Sequence, residues 1–148
     1  MSAIRIKRIF VPVDFSGASE KALSYAAELA RAFSSELILF HVFDTRIVDN
    51  IYHIHQLSPE TARREMRKSA EVAMKGLMES EMLSGLVVSK RFDEGLPPMR
   101  VKEVAEEVEA DLIVMGTHGK TGLTQFLYGS TADGVQRGAP CPVLTVNP

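Results

Sequence analysis

The chain has 148 residues and a formal net charge of −2, and 45% of its residues are hydrophobic and 24% charged. This length suffices for one complete hydrophobic core and is short for two domains, so we expect a single domain over residues 1–148. The near-neutral charge without a long basic run excludes the usual pattern of a nucleic-acid binder, and the apolar run near the start is too short for a signal peptide or a membrane span. We therefore expect a cytoplasmic protein without nucleic-acid or membrane partners.

The first part of the chain predicts two strands and a helix between them. Residues 6–13 (IKRIFVPV) are mostly apolar and β-branched, and Ser16 is suited to cap the helix that follows them. Small and apolar residues recur at helical spacing over residues 17–33, which predicts the first helix. Residues 37–43 (LILFHVF) predict a second strand that is apolar on both faces, as in a parallel sheet covered by helices on both sides.

The segment from Asp44 to Leu57 is predicted to be irregular. It contains Tyr52, His53 and His55, and a His-x-His pair of this kind can bind a metal ion. In a loop, however, such a pair lacks a third ligand of fixed geometry, and the nearest candidate is Asp49. Solvent-exposed histidines are the favoured interpretation, and we expect no metal site built from protein side chains.

A long helix is predicted to begin at Ser58 and Pro59, which supply an N-cap and a proline for the first turn. A short third strand is predicted at residues 86–88, and residues 91–98 contain the glycine and prolines of a turn. The helix between Pro59 and this strand should bury one stripe of side chains, namely Ala62, Met66, Ala70, Ala73, Leu77 and Met82.

The last third of the chain predicts two more strands and two more helical segments. Valines and alanines at residues 101–108 have the spacing of an amphipathic helix, and residues 112–115 form a buried strand. Residues 130–137 should continue or complete a helix, and residues 143–146 form the fifth strand. The single cysteine, Cys141, excludes an internal disulfide, and we expect it to be a small buried thiol rather than a redox group.

Five strands that alternate with helices predict an α/β fold, a doubly wound parallel sheet built from right-handed crossovers. Ligands of such sheets bind beyond the carboxyl ends of the strands, at the point where the strand order reverses. If the first and fourth strands are neighbours across that point, Asp14 and Gly116 face the same crevice.

A glycine-rich stretch follows the fourth strand and is suited to binding phosphate. Gly116, Gly119 and Gly122 are each separated by two residues, and Gly129 precedes a Ser-Thr pair. Glycines allow backbone N–H groups to turn toward an anion, and a helix that begins just beyond them adds its positive end.

Two familiar phosphate loops do not fit this spacing. A Walker loop requires glycine at position 114, which is valine, and a dinucleotide fingerprint requires Gly-x-Gly after the first strand. What remains is Gly116, two residues, Gly119, nine residues and then Gly129-Ser130. This pattern resembles the ATP-binding motif of the universal stress protein family, which is Gly-x-x-Gly, nine residues, then Gly followed by Ser or Thr.

The resemblance extends over almost the whole chain, through the segments IFVPVDFS, His41-Val42, DLIVMGTHG and APCPVLTV. It implies an adenine nucleotide alpha hydrolase-like sheet of order 3-2-1-4-5 with helices on both faces. It also implies ATP or another adenine nucleotide in the crevice, with Mg²⁺ accompanying ATP, and a homodimer paired through residues 143–146. An apolar strand at a sheet edge independently favours such pairing.

Carried over position by position, the resemblance implies a set of nucleotide-binding residues. Residues 12–14 would lie along the adenine and ribose, Val42 against the base, and the glycine motif around the phosphates. The alternative for Asp14 is to cap a helix, and His118 and Lys120 either contact phosphate or face solvent. The implied set is Pro12, Val13, Asp14, His41, Val42, Met115, Gly116, Thr117, His118, Gly119, Gly129, Ser130 and Thr131.

Two classes of function are compatible with this site. The favoured one is a regulatory binding module in a stress response, in which nucleotide occupancy changes the surface shown to a protein partner. The alternative is a slow ATPase or phosphotransferase, which needs charge neutralisation and a positioned nucleophile. Only Asp14, His118 and Lys120 are candidates for such chemistry, so we assign no catalytic residue.

Overall fold

The strands and helices alternate along the chain in the computed structural model, which describes residues 3–117 and 131–148. His118, Gly119, Lys120, Gly122, Gly129 and Ser130 lie outside the described residues. In chain order the elements are β1 (Arg8–Pro12), α1 (Gly17–Phe33), β2 (Glu36–Asp44), α2 (Thr45–His55), α3 (Pro59–Met78), a 3₁₀ turn (Glu81–Leu83), β3 (Val88–Gly95), α4 (Pro97–Glu107), β4 (Leu112–Gly116), α5 (described over residues 131–136) and β5 (Val143–Val146).

The strands form one parallel sheet of order β3-β2-β1-β4-β5, which confirms the predicted topology. β1 pairs with β4 only through Ile9 and Phe10, and the carboxylate of Asp111 extends this seam by accepting hydrogen bonds from the main-chain N–H groups of Lys7 (2.9 Å) and Arg8 (3.0 Å). Because the pairing then stops, a crevice opens between the carboxyl ends of β1 and β4, where the strand order reverses.

Two hydrophobic cores cover the two faces of the sheet, as the apolar central strands predicted. Successive side chains of a strand point to opposite faces, so Ile9 and Val11 pack against α1 and α3, whereas Phe10 packs against α4 and α5. All three side chains are fully buried. Over the described residues, no helix has both the length and the apolarity required to cross a bilayer.

The prediction of an irregular segment after β2 is wrong, because residues 45–55 form α2. The buried carboxylate of Asp44 accepts hydrogen bonds from the main-chain N–H of Arg46 at 2.9 Å and from its guanidinium at 2.9 and 2.7 Å. This fixes the first turn of the helix, and Val48, which is 1% exposed, anchors it to the sheet. His53 and His55 are exposed in the last turn of α2.

The predicted third strand is too short, because β3 continues through residues that were assigned to a turn. β3 lies at the edge of the sheet, where charged side chains such as Lys90 and Glu94 can reach water while the backbone still pairs with β2. A criterion based on apolar runs therefore misses its polar half.

Helix α3 begins as predicted, with the Ser58 hydroxyl accepting a hydrogen bond from the Thr61 N–H at 3.1 Å. It ends at Met78, so Met82 lies beyond it in the 3₁₀ turn. The buried side chains of α3 include Met74, which was not predicted, and they are Ala62, Ala70, Met74 and Leu77.

Candidate functional site

A cavity of about 490 Å³, counting the solvent at its mouth, lies at the carboxyl ends of β1 and β4. As expected, Asp14 and Gly116 both line it. Thr117 is the one described residue of the predicted set that does not. The full lining is Pro12, Val13, Asp14, Ser16, Ser19, Phe40, His41, Val42, Pro97, Val101, Met115, Gly116 and Thr131.

The walls of this cavity are mostly apolar, with a few polar groups at defined places. Phe40, Val101 and Met115 are buried and form its floor. Among the described lining residues, Asp14 is the one carboxylate and no lysine or arginine is present. Such a lining suits a flat apolar ring that carries a small number of hydrogen-bonding groups.

Asp14 is held in place by the first turn of α1. Its Oδ1 accepts hydrogen bonds from the main-chain N–H of Ser16, at 2.9 Å, and from the Ser16 hydroxyl. The Ser16 oxygen in turn caps α1 by accepting from the N–H of Ser19 at 3.2 Å. Asp14 therefore supports a helix cap and lines the cavity at the same time, and its Oδ2 is the oxygen not used by the cap.

His41 fixes the segment that follows β1. Its Nδ1 lies 2.8 Å from the carbonyl oxygen of Val13, and because a carbonyl can only accept, Nδ1 carries the proton. The Val13 N–H donates to the carbonyl of Phe40 at 2.8 Å, so both main-chain groups of Val13 are engaged. The imidazole also packs on Phe15, whose φ of 65° is uncommon for a residue other than glycine, with 4.7 Å between the ring centroids.

The main chain of Val42 faces the cavity. In β2, Glu36 and Phe40 hydrogen-bond toward β1, whereas Leu37 hydrogen-bonds toward β3. Main-chain groups alternate in direction along a strand, so the N–H and C=O of Val42 point toward β1. β1 ends at Pro12, opposite Phe40, and therefore provides no residue opposite Val42. A donor and an acceptor from one residue are thus directed into the space beyond β1.

Gly116 is required by a close approach of α1 to the end of β4. A Cβ atom at this position would lie 3.0 Å from the carbonyl carbon and oxygen of Ala18. The next residue, Thr117, turns toward β5, since its N–H donates to Val146 at 3.1 Å and its hydroxyl to the side chain of Asn147 at 2.9 Å.

Helix α4 contributes two wall residues that were not predicted, Pro97 and Val101. The helix begins with Pro97 and Pro98, and proline has no N–H group. This helix start therefore presents ring carbons to the cavity rather than donors for an anion. No local signal in the sequence identifies this wall, because it depends on where α4 packs against the sheet.

A second cavity adjoins the first and shares Asp14, His41 and Val42 with it. It is wider, about 830 Å³ counting open solvent, and lies between the end of β2 and the helices α2 and α3. Exposed side chains of α3, including Glu65 and Ser69, form much of its rim. Within residues 3–117 and 131–148, no three histidine, cysteine or acidic side chains form a group that could hold a metal ion.

Cys141 is partly buried and packs against the core beneath α4 and α5. Burial raises the pKa of its thiol, and the nearby carboxylate of Asp111 raises it further. The thiolate is therefore disfavoured at neutral pH, which agrees with a packing role.

The comparisons with known proteins agree with one another. A sequence model described as the universal stress protein family matches residues 5–147. Universal stress protein MJ0531 of Methanocaldococcus jannaschii is 34% identical over 140 residues, which cover 95% of this chain and 81% of the relative.

Two solved structures share the fold over nearly the full length of both chains. Hypothetical protein MJ0577, from the same organism, has a TM-score of 0.82 and 28% identity, with 98% of each chain covered. A universal stress protein solved in complex with cAMP has a TM-score of 0.60 and 26% identity, covering 96% of this chain and 97% of its own.

Proposed function

From the premise that this chain belongs to the universal stress protein family, we propose that it binds an adenine nucleotide in the first cavity and acts as a regulatory module in a stress response. The observation that carries the proposal is the main chain of Val42, which directs a donor and an acceptor into an otherwise apolar cavity. The complex of a similar protein with cAMP adds support for an adenine ligand.

The base is proposed to lie against Val42. Its N–H donates to a ring nitrogen of adenine, and its C=O accepts from the exocyclic amino group. Pro97, Val101 and Met115 cover the faces of the ring, which favours a flat aromatic group over a sugar at this position. The main chain of Val13 supports the wall rather than reading the base, because its N–H and C=O are already engaged.

The ribose is proposed to lie beside Asp14, whose Oδ2 accepts from the sugar hydroxyls. Gly116 and Thr131 lie on the side where the phosphates would extend. His118, Gly119, Gly129 and Ser130 stay sequence-based proposals for phosphate contacts. Thr117 is proposed only as the link between Gly116 and this loop, because its N–H is used by β5.

Mg²⁺ would enter with ATP, bound by the phosphates themselves. We further propose a cytoplasmic location, a single domain, an unidentified protein partner and a homodimer through β5. β5 is an edge strand, and its Leu144 is 38% exposed. A monomer at micromolar concentration, measured by light scattering, would contradict the dimer.

The binding module is favoured over a slow ATPase or phosphotransferase on electrostatic grounds. Transfer of a phosphoryl group needs cations and a positioned nucleophile. In the described lining, Asp14 is the one carboxylate, and its Oδ1 is committed to Ser16. We therefore expect stoichiometric binding with negligible turnover.

The test is calorimetry of nucleotide-free, folded protein with AMP, cAMP and ATP with and without Mg²⁺, together with an assay of phosphate release. We expect one site per chain. Asp14→Asn keeps an oxygen for the Ser16 cap but removes the charge that accepts from ribose, and should weaken affinity about tenfold. Asp49→Asn, the same change at an exposed position on α2, is the control and should leave affinity unchanged.

Folded protein that produces no heat with any of these nucleotides would refute the proposal. Sustained phosphate release that is lost in Asp14→Asn would instead establish the enzymatic alternative.

A further inference from the structure

Helices α4 and α5 meet at a contact that has no room for one more carbon atom. A Cβ atom built on Gly134 of α5 would lie 2.7 Å from the Cβ of Pro98 and 3.4 Å from its Cγ. Carbon atoms that are not bonded attract one another best at about 3.5–4.0 Å, so 2.7 Å is a severe overlap. Glycine is also among the poorest residues for a helix interior, so its presence in α5 agrees with a steric requirement.

The overlap could not be relieved by a side-chain rotation. Pro98 is a closed ring with a fixed φ and has no flexible end. The start of α4 is also attached to β3, because the guanidinium of Arg100 donates to the carboxylate of Asp93, with Nε at 3.1 Å, and Arg100 also pairs with Glu103. A side chain at position 134 would therefore displace α5 from α4.

The contact lies one helical turn from the first cavity. Pro97 lines the cavity next to Pro98 in the chain, and Val101 lines it from the following turn of α4. On α5, Thr131 lines the cavity and lies three residues before Gly134, on the same side of the helix. A shift at the contact would thus move the wall formed by Thr131 relative to the wall formed by α4.

We propose that Gly134 and Pro98 are a positioning pair, which sets the separation of α4 and α5 and thereby the width of the nucleotide cavity. The inference rests on the proposed function, because it assigns these residues a part in shaping that same site. Neither residue lines the cavity, so their effect on a ligand is transmitted through Thr131 and the start of α4.

The experiment compares Gly134→Ala, Pro98→Gly and the double variant, using AMP and cAMP as calorimetric probes. Gly134→Ala should weaken affinity about tenfold, since overpacking forces a backbone shift. The double variant removes the atom that is overlapped and should recover affinity to within about threefold of the unaltered chain, after the effect of Pro98→Gly alone is subtracted.

Gly76→Ala in α3 is the matched control, because a Cβ atom there meets nothing within 4 Å. It makes the same chemical change inside a helix and should leave affinity unchanged. A purely structural role for Gly134 would lower the melting temperature without changing the affinity of the folded fraction.

Unchanged affinity in folded Gly134→Ala overturns the inference while leaving the proposed function intact. If Gly134→Ala does not fold, the double variant decides, and a double variant that is equally defective overturns the inference. Absence of binding by the unaltered chain refutes the proposed function itself, and with it any role of this pair in ligand binding.

Discussion

The two cavities share one wall, formed by Asp14, His41 and Val42, but the rest of each is built differently. The first is bounded by main chain and buried side chains, with no space for a Cβ atom at Gly116. The second is bounded largely by exposed side chains of α3 such as Glu65. The shape of the first cavity is therefore fixed by packing, whereas the rim of the second can rearrange at little cost. This difference is the physical reason for placing the nucleotide in the first.

The largest effect that tests this difference is expected for Gly116→Ala. The added Cβ would press on the Ala18 carbonyl at 3.0 Å, so α1 or β4 must shift. We expect the free energy of unfolding to fall by about 1–3 kcal/mol, measured by urea denaturation, and nucleotide affinity to fall with it.

Gly17→Ala is the control for that change, because a Cβ atom at the first position of α1 meets nothing within 4 Å. It should be neutral or stabilising by up to about 1 kcal/mol. Equal destabilisation by the two variants would show that the end of β4 is not tightly packed.

An intermediate effect is expected for His41→Phe, at the wall that the cavities share. The substitution keeps an aromatic ring against Phe15 but removes the hydrogen bond to the Val13 carbonyl. The free energy of unfolding should fall by about 1 kcal/mol, and nucleotide affinity should fall severalfold as the segment after β1 loosens. His55→Phe, at an exposed position on α2, should stay within about 0.5 kcal/mol. A full loss of affinity with unchanged stability would mean that His41 contacts the ligand directly.

The smallest effect is expected for Glu65→Gln, which alters only the second cavity. This side chain is exposed, so we expect changes within about 0.5 kcal/mol in unfolding free energy and no measurable change in nucleotide affinity. Calorimetry beside Asp14→Asn makes the comparison direct, since each variant removes one carboxylate charge. A tenfold change in affinity for Glu65→Gln would place part of the ligand in the second cavity.

Much of this architecture could be predicted because the central strands are apolar on both faces. The β2 segment, with Leu37, Leu39 and Phe40 fully buried, is typical of a covered parallel sheet, and Ser16 and Ser58 mark helix starts that the structure confirms. The position of Asp14 and Gly116 in one cavity followed from that topology alone.

The errors and omissions have a common cause, which is that local pattern does not encode tertiary exposure. The charged half of β3 forms a strand because it lies at an edge, and α2 forms because Asp44 ties down its first turn. Pro97 could not be assigned to the site from the sequence, since only the packing of α4 brings it beside residues of β1 and β4. The contact between Pro98 and Gly134 is likewise invisible until both helices are in place.

The seam between β1 and β4 joins parts of the chain that are synthesised far apart in time. Asp111 accepts from the main chain of Arg8, 103 positions earlier, and Met115, Gly116 and Thr131 follow Asp111 in sequence. A nascent polypeptide can pair its first three strands before these residues leave the ribosome. The nucleotide cavity has no second side until then, so an incomplete chain on the ribosome would be unable to capture the ligand.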